Sequence, residues 1–114
     1  LCCTWDGDVV DMLRCVYIMK AFKENNILDR VNKSASIIKE SLKDNINFVF
    51  ENEGLIMSAK FKTTEKRDKF YNYLFDNKIL SNSTGDTCIR FRPSLSITEE
   101  EINTFLKAVN KYDP

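Results

Sequence analysis

Hydrophobic positions along the chain change their spacing several times, and each change marks a predicted element. Residues 9–25 are apolar at close to helical spacing, which predicts a mostly buried helix. After a turn at Asn25 and Asn26 comes the clearest amphipathic helix, whose single apolar stripe consists of Leu28, Val31, Ala35, Ile38 and Leu42. The first third of the chain therefore predicts a pair of helices.

Strict alternation of apolar and polar residues then takes over. Residues 55–61 alternate in this way and predict a strand with one buried face. Residues 47–50 predict its partner, with a hairpin turn over residues 51–54 between them. Residues 87–92 predict a third strand, which ends at Pro93 because proline has no backbone N–H to donate.

Two more helices complete the predicted order. Thr63 and Thr64 can cap a helix whose predicted inward face consists of Phe70, Tyr71, Leu74 and Phe75. Residues 81–85 have the composition of a turn. Thr98 and Glu101 form the capping-box pattern that opens the last helix. The order α-α-β-β-α-β-α predicts a single domain of the α+β class, with a small, largely antiparallel sheet of three to four strands packed against helices.

Charge and composition restrict the function. Seventeen basic and seventeen acidic residues cancel and are interleaved, which argues against a nucleic-acid partner and a ferredoxin-like nucleic-acid binder. Apolar stretches are too short to cross a membrane. Histidine is absent, and four irregularly spaced cysteines favour reduced thiols in a cytoplasmic protein, with no metal site. Any chemistry must come from other side chains or from a cofactor.

Two segments could carry chemistry. Arg90 and Arg92 share one face of the third strand, and a guanidinium group can donate two parallel hydrogen bonds to a carboxylate. The alternative is that both are solvated charges on an edge strand. Residues 4–8, ahead of the first helix, place a hydroxyl group where backbone amides could face an anion, although Thr4 or Asp8 could equally be an ordinary N-cap.

Taken in order, these segments resemble the class III aminotransferases, which depend on pyridoxal phosphate. The family has a Ser-Thr-aromatic-Gly-Gly-Asn segment before a long helix, a glycine turn before a Gly-Leu-Met strand, and an Ile-Arg-Phe-x-Pro strand before a Thr-Glu-Glu-Glu-Ile helix start. The matching segments here are residues 3–8, 53–57, 89–93 and 98–102. Asp6, Asp8 and the turn at residues 51–54, which keeps only the last glycine of an Arg-Gly-x-Gly pattern, depart from the family's pattern.

The resemblance implies roles for four residues. Thr4, with Cys3 beside it, would bind the cofactor phosphate of the neighbouring subunit in a homodimer. Arg90 would receive a substrate carboxylate, or pair with a glutamate of the large domain when the amino donor has no α-carboxylate there. Arg92 would have only a supporting charge role. No catalytic residue is expected within these 114 residues, because the cofactor-binding lysine would lie upstream.

The resemblance also implies the place of the chain in an enzyme. Residues 1–8 would belong to the cofactor-contacting edge of the large domain, residues 9–26 to a connecting helix and residues 27–114 to the C-terminal small domain. The enzyme would move a terminal amino group, from L-lysine in preference to 4-aminobutyrate, to 2-oxoglutarate. The alternative is a stand-alone α+β module that binds protein without a cofactor.

Overall fold

The computed structural model describes residues 4–114, which form helices and one antiparallel sheet. The helices are α1 (Val9–Glu24), α2 (Ile27–Leu42), α3 (Thr64–Asp76) and α4 (Glu99–Asn110). The strands are β1 (Val49–Glu53), β2 (Ile56–Lys60), β3 (Asn82–Thr84) and β4 (Cys88–Phe91). The architecture confirms the predicted α+β class.

The sheet has the strand order β1-β2-β4-β3, and every neighbouring pair is antiparallel. The central strands β2 and β4 alternate as their sequences predict. Met57, Ala59, Ile89 and Phe91 are buried on one face, while the residues between them point to the other. Because α2, α3 and α4 pack on the buried face, the sheet has an inner, covered face and an outer face that these helices leave open.

Aromatic side chains join the helices to the sheet. Phe70 of α3 lies within 5.4 Å of the ring centres of Phe48 and Phe61, and the Phe105 ring of α4 lies 5.3 Å from that of Phe91. Such tilted and edge-on contacts stabilise a core beyond the burial of apolar area. The buried apolar residues are Ala35, Ile38, Leu42, Phe48, Leu55, Met57, Ala59, Phe61, Phe70, Leu74, Ile89, Phe91, Ile102, Leu106 and Val109.

Side-chain caps define where three of the helices begin. The carboxylate of Asp8 accepts a hydrogen bond of 3.0 Å from the amide of Asp11, so Asp8 and not Thr4 is the N-cap of α1. Thr63 caps α3 through the amide of Lys66. The predicted capping box of α4 is confirmed, with both of its reciprocal hydrogen bonds present.

The prediction that the first helix is mostly buried was wrong. No residue of α1, all of which the structure describes, is buried, and Val9 and Tyr17 expose 73% and 63% of their surface. Apolar residues lie on several sides of α1, and it packs against α2 and not into the core. Leu28, at the start of α2, is also exposed and so lies outside the buried part of its stripe.

Both predicted turns of the sheet were too long. β1 continues to Glu53, and the hairpin turns at Gly54 and Leu55, where Gly54 adopts a φ of 54° that suits glycine. Residues 82–84, predicted as a turn, form β3 and pair with β4. The backbone groups of residues 82–84 form hydrogen bonds with β4, a partner that the local composition does not reveal.

The inward face of α3 also differs from the prediction. Phe75 is exposed, whereas Tyr73 is half-buried and its hydroxyl donates a hydrogen bond of 2.8 Å to the backbone carbonyl of Ala108. The inward face of α3 therefore consists of Phe70, Tyr71, Tyr73 and Leu74, with Tyr73 in place of the predicted Phe75.

Within residues 4–114, no helix has the length and hydrophobicity of a membrane span, and no cluster of potential metal ligands occurs. Cys15 and Cys88 are free thiols.

Candidate functional site

Arg90 lies on an interior strand of the sheet. Its backbone pairs with Ser58 of β2 on one side and with Asn82 of β3 on the other. Arg90 is therefore not on an edge strand, because β4 has a hydrogen-bonded neighbour on each side.

The alternation of β4 directs the Arg90 side chain to the outer face. Ile89 and Phe91 are 0% and 7% exposed on the inner face, while Arg90 and the following Arg92 are exposed. Ser58 and Asn82 share the outer face with Arg90, since directly paired residues of an antiparallel ladder point the same way. Among residues 4–114, Arg90 has neither an ion pair nor a hydrogen bond to its side chain.

A cavity of about 450 Å³ opens beside Arg90. It lies where the end of β4 meets the first turns of α4 and the segment that joins α3 to β3. Ile38, Met57, Phe91 and Phe105 supply an apolar side. A pocket that combines apolar walls with a few polar groups is the form that small-molecule sites usually take.

The rim of the cavity is polar and carries more positive than negative side chains. The charged residues that line it are Lys78, Arg90, Arg92, Glu100 and Glu101. Glu101 also serves the capping box, where its carboxylate accepts hydrogen bonds of 2.8 and 2.9 Å from the amide and hydroxyl of Thr98. These two hydrogen bonds hold the pKa of Glu101 below its usual value.

Thr4 occupies a separate place. It is exposed in the turn of residues 4–7, where Gly7 has a φ of 78° and the amide of Asp8 bonds to the carbonyl of Trp5 at 3.2 Å. Thr4 does not line the cavity beside Arg90. Cys3 lies outside the described residues. The structure thus supports Arg90 as a cavity residue and leaves the roles of Thr4 and Cys3 as predictions.

Sequence reasoning missed several polar residues of the cavity, among them Lys78, Ser81 and Asn82. Lys78 lies just beyond α3, while Ser81 and Asn82 lie in the segment of residues 81–85 whose composition predicts a turn. The positive φ of 64° at Lys78 closes α3 and turns the chain toward Arg90. In the sequence, Ser81 and Asn82 precede the predicted strand of residues 87–92, which carries both arginines, and this was the available signal. Only the pairing of β3 with β4 brings these side chains to the same cavity.

Known proteins share this fold and sequence pattern. The model of the family "Aminotransferase class-III" matches residues 1–112. The L-lysine-epsilon aminotransferase of Amycolatopsis lactamdurans is 26% identical over 93% of this chain and 25% of its own length. The 4-aminobutyrate aminotransferase of Dictyostelium discoideum is 28% identical over 96% of this chain and 23% of its own length.

A solved structure has the same fold as this chain. The lysine aminotransferase of Mycobacterium tuberculosis superposes with a TM-score of 0.83 at 23% identity, over 96% of this chain and 27% of that one. The chain thus spans about a quarter of the length of the relatives that it matches. Since the family model covers nearly all of its residues, the chain belongs to the class III aminotransferase family.

Proposed function

We propose that this chain is the C-terminal part of a pyridoxal-phosphate-dependent aminotransferase. The enzyme moves the terminal amino group of an ω-amino acid, L-lysine in preference to 4-aminobutyrate, to 2-oxoglutarate. Relatives named for both donors support this assignment. The observation that carries it is the position of Arg90, on the uncovered face of an interior strand and at the edge of a cavity.

Arg90 binds a substrate carboxylate in this proposal. Its guanidinium group is planar, permanently charged and uncommitted among residues 4–114, so both of its donor pairs are available for a bidentate contact. The rigid sheet fixes the Cα position of Arg90 from both sides, while the side chain keeps the freedom to turn toward its partner.

The turn before α1 offers one contact to the phosphate group of pyridoxal phosphate. The Thr4 hydroxyl is exposed and forms no hydrogen bond within residues 4–114, so it can donate one to a phosphate oxygen. Asp6 and Asp8 add negative charge to the same segment, which opposes a phosphate dianion. In this proposal, Thr4 and Cys3 form one side of the phosphate site, and the positively charged groups of that site belong to other parts of the enzyme. Pyridoxal phosphate, when bound, supplies the electron sink for amino-group transfer.

The exposed apolar residues of α1 support contact with the rest of the enzyme. Val9, Leu13, Val16 and Tyr17 each expose about half or more of their surface. A patch of this kind on a soluble protein usually marks an interface. In the proposed enzyme, α1 is the connecting helix, and the large domain and the second subunit of a homodimer cover it.

The second candidate function rests on the same helix. An isolated α+β module could use the apolar surface of α1 to bind a protein partner without any cofactor. The two candidates differ in their need for pyridoxal phosphate, which an interaction module does not bind.

The experiment uses the complete protein in which this chain occurs, loaded with pyridoxal phosphate. Glutamate formation from 2-oxoglutarate is measured with L-lysine and, separately, with 4-aminobutyrate as the donor. We expect turnover with both and a higher kcat/KM for L-lysine. A protein that neither retains the cofactor nor forms glutamate from 2-oxoglutarate with any ω-amino acid as the donor would favour the interaction module.

A further inference from the structure

The cavity beside Arg90 carries two further positive charges, those of Lys78 and Arg92, to which the proposed function gives no binding role. Lys78, from the segment after α3, lines the same cavity as Arg90 and Arg92, which lie two residues apart at the end of β4 and just beyond it. Each lacks an ion pair among residues 4–114, whereas Arg14, Lys33 and Lys43 are all paired. Charges of one sign brought together without partners raise the local concentration of oppositely charged ligands.

The negative charge at this cavity is smaller than the positive charge, and one of the carboxylates is already hydrogen-bonded within the protein. Glu100 and Glu101 are the acidic residues that line it in the described part of the chain. The Glu101 carboxylate is held by Thr98 in the capping box, and both residues lie in the first turn of α4, where the helix dipole attracts negative charge. The rim therefore stays net positive.

A buried hydroxyl group and an exposed amide group also line this cavity. The Ser81 Oγ atom is buried and has no hydrogen-bond partner among the described residues. Asn82 lies directly opposite Arg90, and its side chain is exposed on the same face. A buried hydroxyl without a partner carries a free-energy cost that a bound ligand or water molecule can remove.

We propose that Lys78 and Arg92 make this site select doubly charged oxo acids over singly charged ones. The inference rests on the proposed function and deepens it. Arg90 contacts one carboxylate, while Lys78 and Arg92 act on the second negative charge through the electric field of the rim. They are specificity-determining residues that act on the capture of the substrate and do not touch the reacting atoms.

Lys78 and Arg92 should affect the capture of the oxo acid and not the chemical step. Both residues are exposed, so salt screens their interaction with an approaching acid. Steering by such charges changes the rate of association and hence kcat/KM, while kcat stays unchanged. A dianion feels about twice the field energy of a monoanion, because Coulomb energy is proportional to charge.

The experiment measures kcat/KM of the complete cofactor-loaded enzyme for 2-oxoglutarate and for pyruvate. The variants are Arg92→Ala, Lys78→Ala, the double variant, and Arg92→Gln, which keeps much of the side-chain length. Lys66→Ala is the matched control, since Lys66 is an exposed lysine at the opposite end of α3, roughly 20 Å away by helix rise. Melting temperatures check that every variant folds.

We expect kcat/KM for 2-oxoglutarate to fall about threefold to tenfold in each single variant at low salt, within the range for electrostatic steering. The fall for pyruvate should be distinctly smaller, and both falls should shrink toward zero near 1 M salt. Lys66→Ala should leave both values unchanged. Equal losses for the two acids, losses that persist at high salt, or the same losses in Lys66→Ala would overturn the proposal.

Failure of the proposed function gives a different result. A wild-type enzyme that transfers no amino group to either acid refutes the aminotransferase assignment, and the inference falls with it. A wild-type enzyme that is active but whose acceptor preference is unaffected by Lys78 and Arg92 refutes the inference alone.

Discussion

Tyr73 of α3 and Ala108 of α4 are joined by a hydrogen bond of 2.8 Å from the phenol hydroxyl to the backbone carbonyl. The Tyr73 ring also lies 4.9 Å from that of Tyr112, just beyond α4. The contact ties two helices that flank the sheet, and α4 carries part of the cavity wall beside Arg90. It therefore links the core to the candidate site.

Loss of this hydrogen bond should destabilise the protein. Tyr73→Phe removes the hydroxyl group and keeps the ring, so we expect a loss of about 1 kcal/mol in the free energy of unfolding. Tyr71→Phe is the control, because Tyr71 is half-buried against the same core and its hydroxyl has no partner among residues 4–114. Urea unfolding of both variants checks this, and equal losses would show that the bond contributes nothing specific.

Acid should weaken the start of α4. Hydrogen bonds from Thr98 lower the pKa of Glu101 in the folded protein, so its contribution to stability is present above the ordinary glutamate pKa and is lost as pH falls through the folded value. We expect Glu101→Gln to reduce the dependence of the melting temperature on pH below about pH 4.3, the usual glutamate value. Glu100→Gln removes the same charge from the same turn without breaking the box, and should retain more of that dependence.

Thr4→Ala should weaken cofactor retention without unfolding α1. A hydrogen bond to a charged acceptor contributes about 1.5–3 kcal/mol, and its loss should appear as a higher dissociation constant for pyridoxal phosphate. Asp8→Ala is the control, since Asp8 caps α1 and its loss should lower the melting temperature of both the cofactor-free and the cofactor-bound protein. If Thr4→Ala behaves like Asp8→Ala, the phosphate role is lost.

Local signals predicted the parts of the fold that depend on neighbouring residues. The capping box at Thr98 and the alternation along β2 and β4 need only a few adjacent side chains, and the structure confirms them. Periodicity also located α1, but spacing cannot tell what covers a helix, so its predicted burial was wrong.

Long-range pairing decided the rest. Residues 82–84 have the composition of a turn and become a strand only because β4 offers them backbone partners. Lys78 is twelve positions from Arg90 in the sequence, and the cavity that unites them depends on how α3 ends. Arg90 could be singled out from the sequence, whereas its charged surroundings could not.

The kinetics of Arg90 variants test most directly the claim that this chain forms one side of an aminotransferase active site. The measurement compares the two half-reactions of the complete enzyme, with L-lysine and with 2-oxoglutarate, in Arg90→Ala and Arg90→Lys. For Arg90→Ala we predict a loss of about 2–4 kcal/mol in transition-state binding in the half-reaction with 2-oxoglutarate and a smaller loss in the half-reaction with the amino donor. Arg90→Lys should not restore the lost binding, because an ammonium group cannot donate two parallel hydrogen bonds as a guanidinium group does. Losses below about 0.5 kcal/mol in both half-reactions, as at an ordinary surface site, would contradict the account.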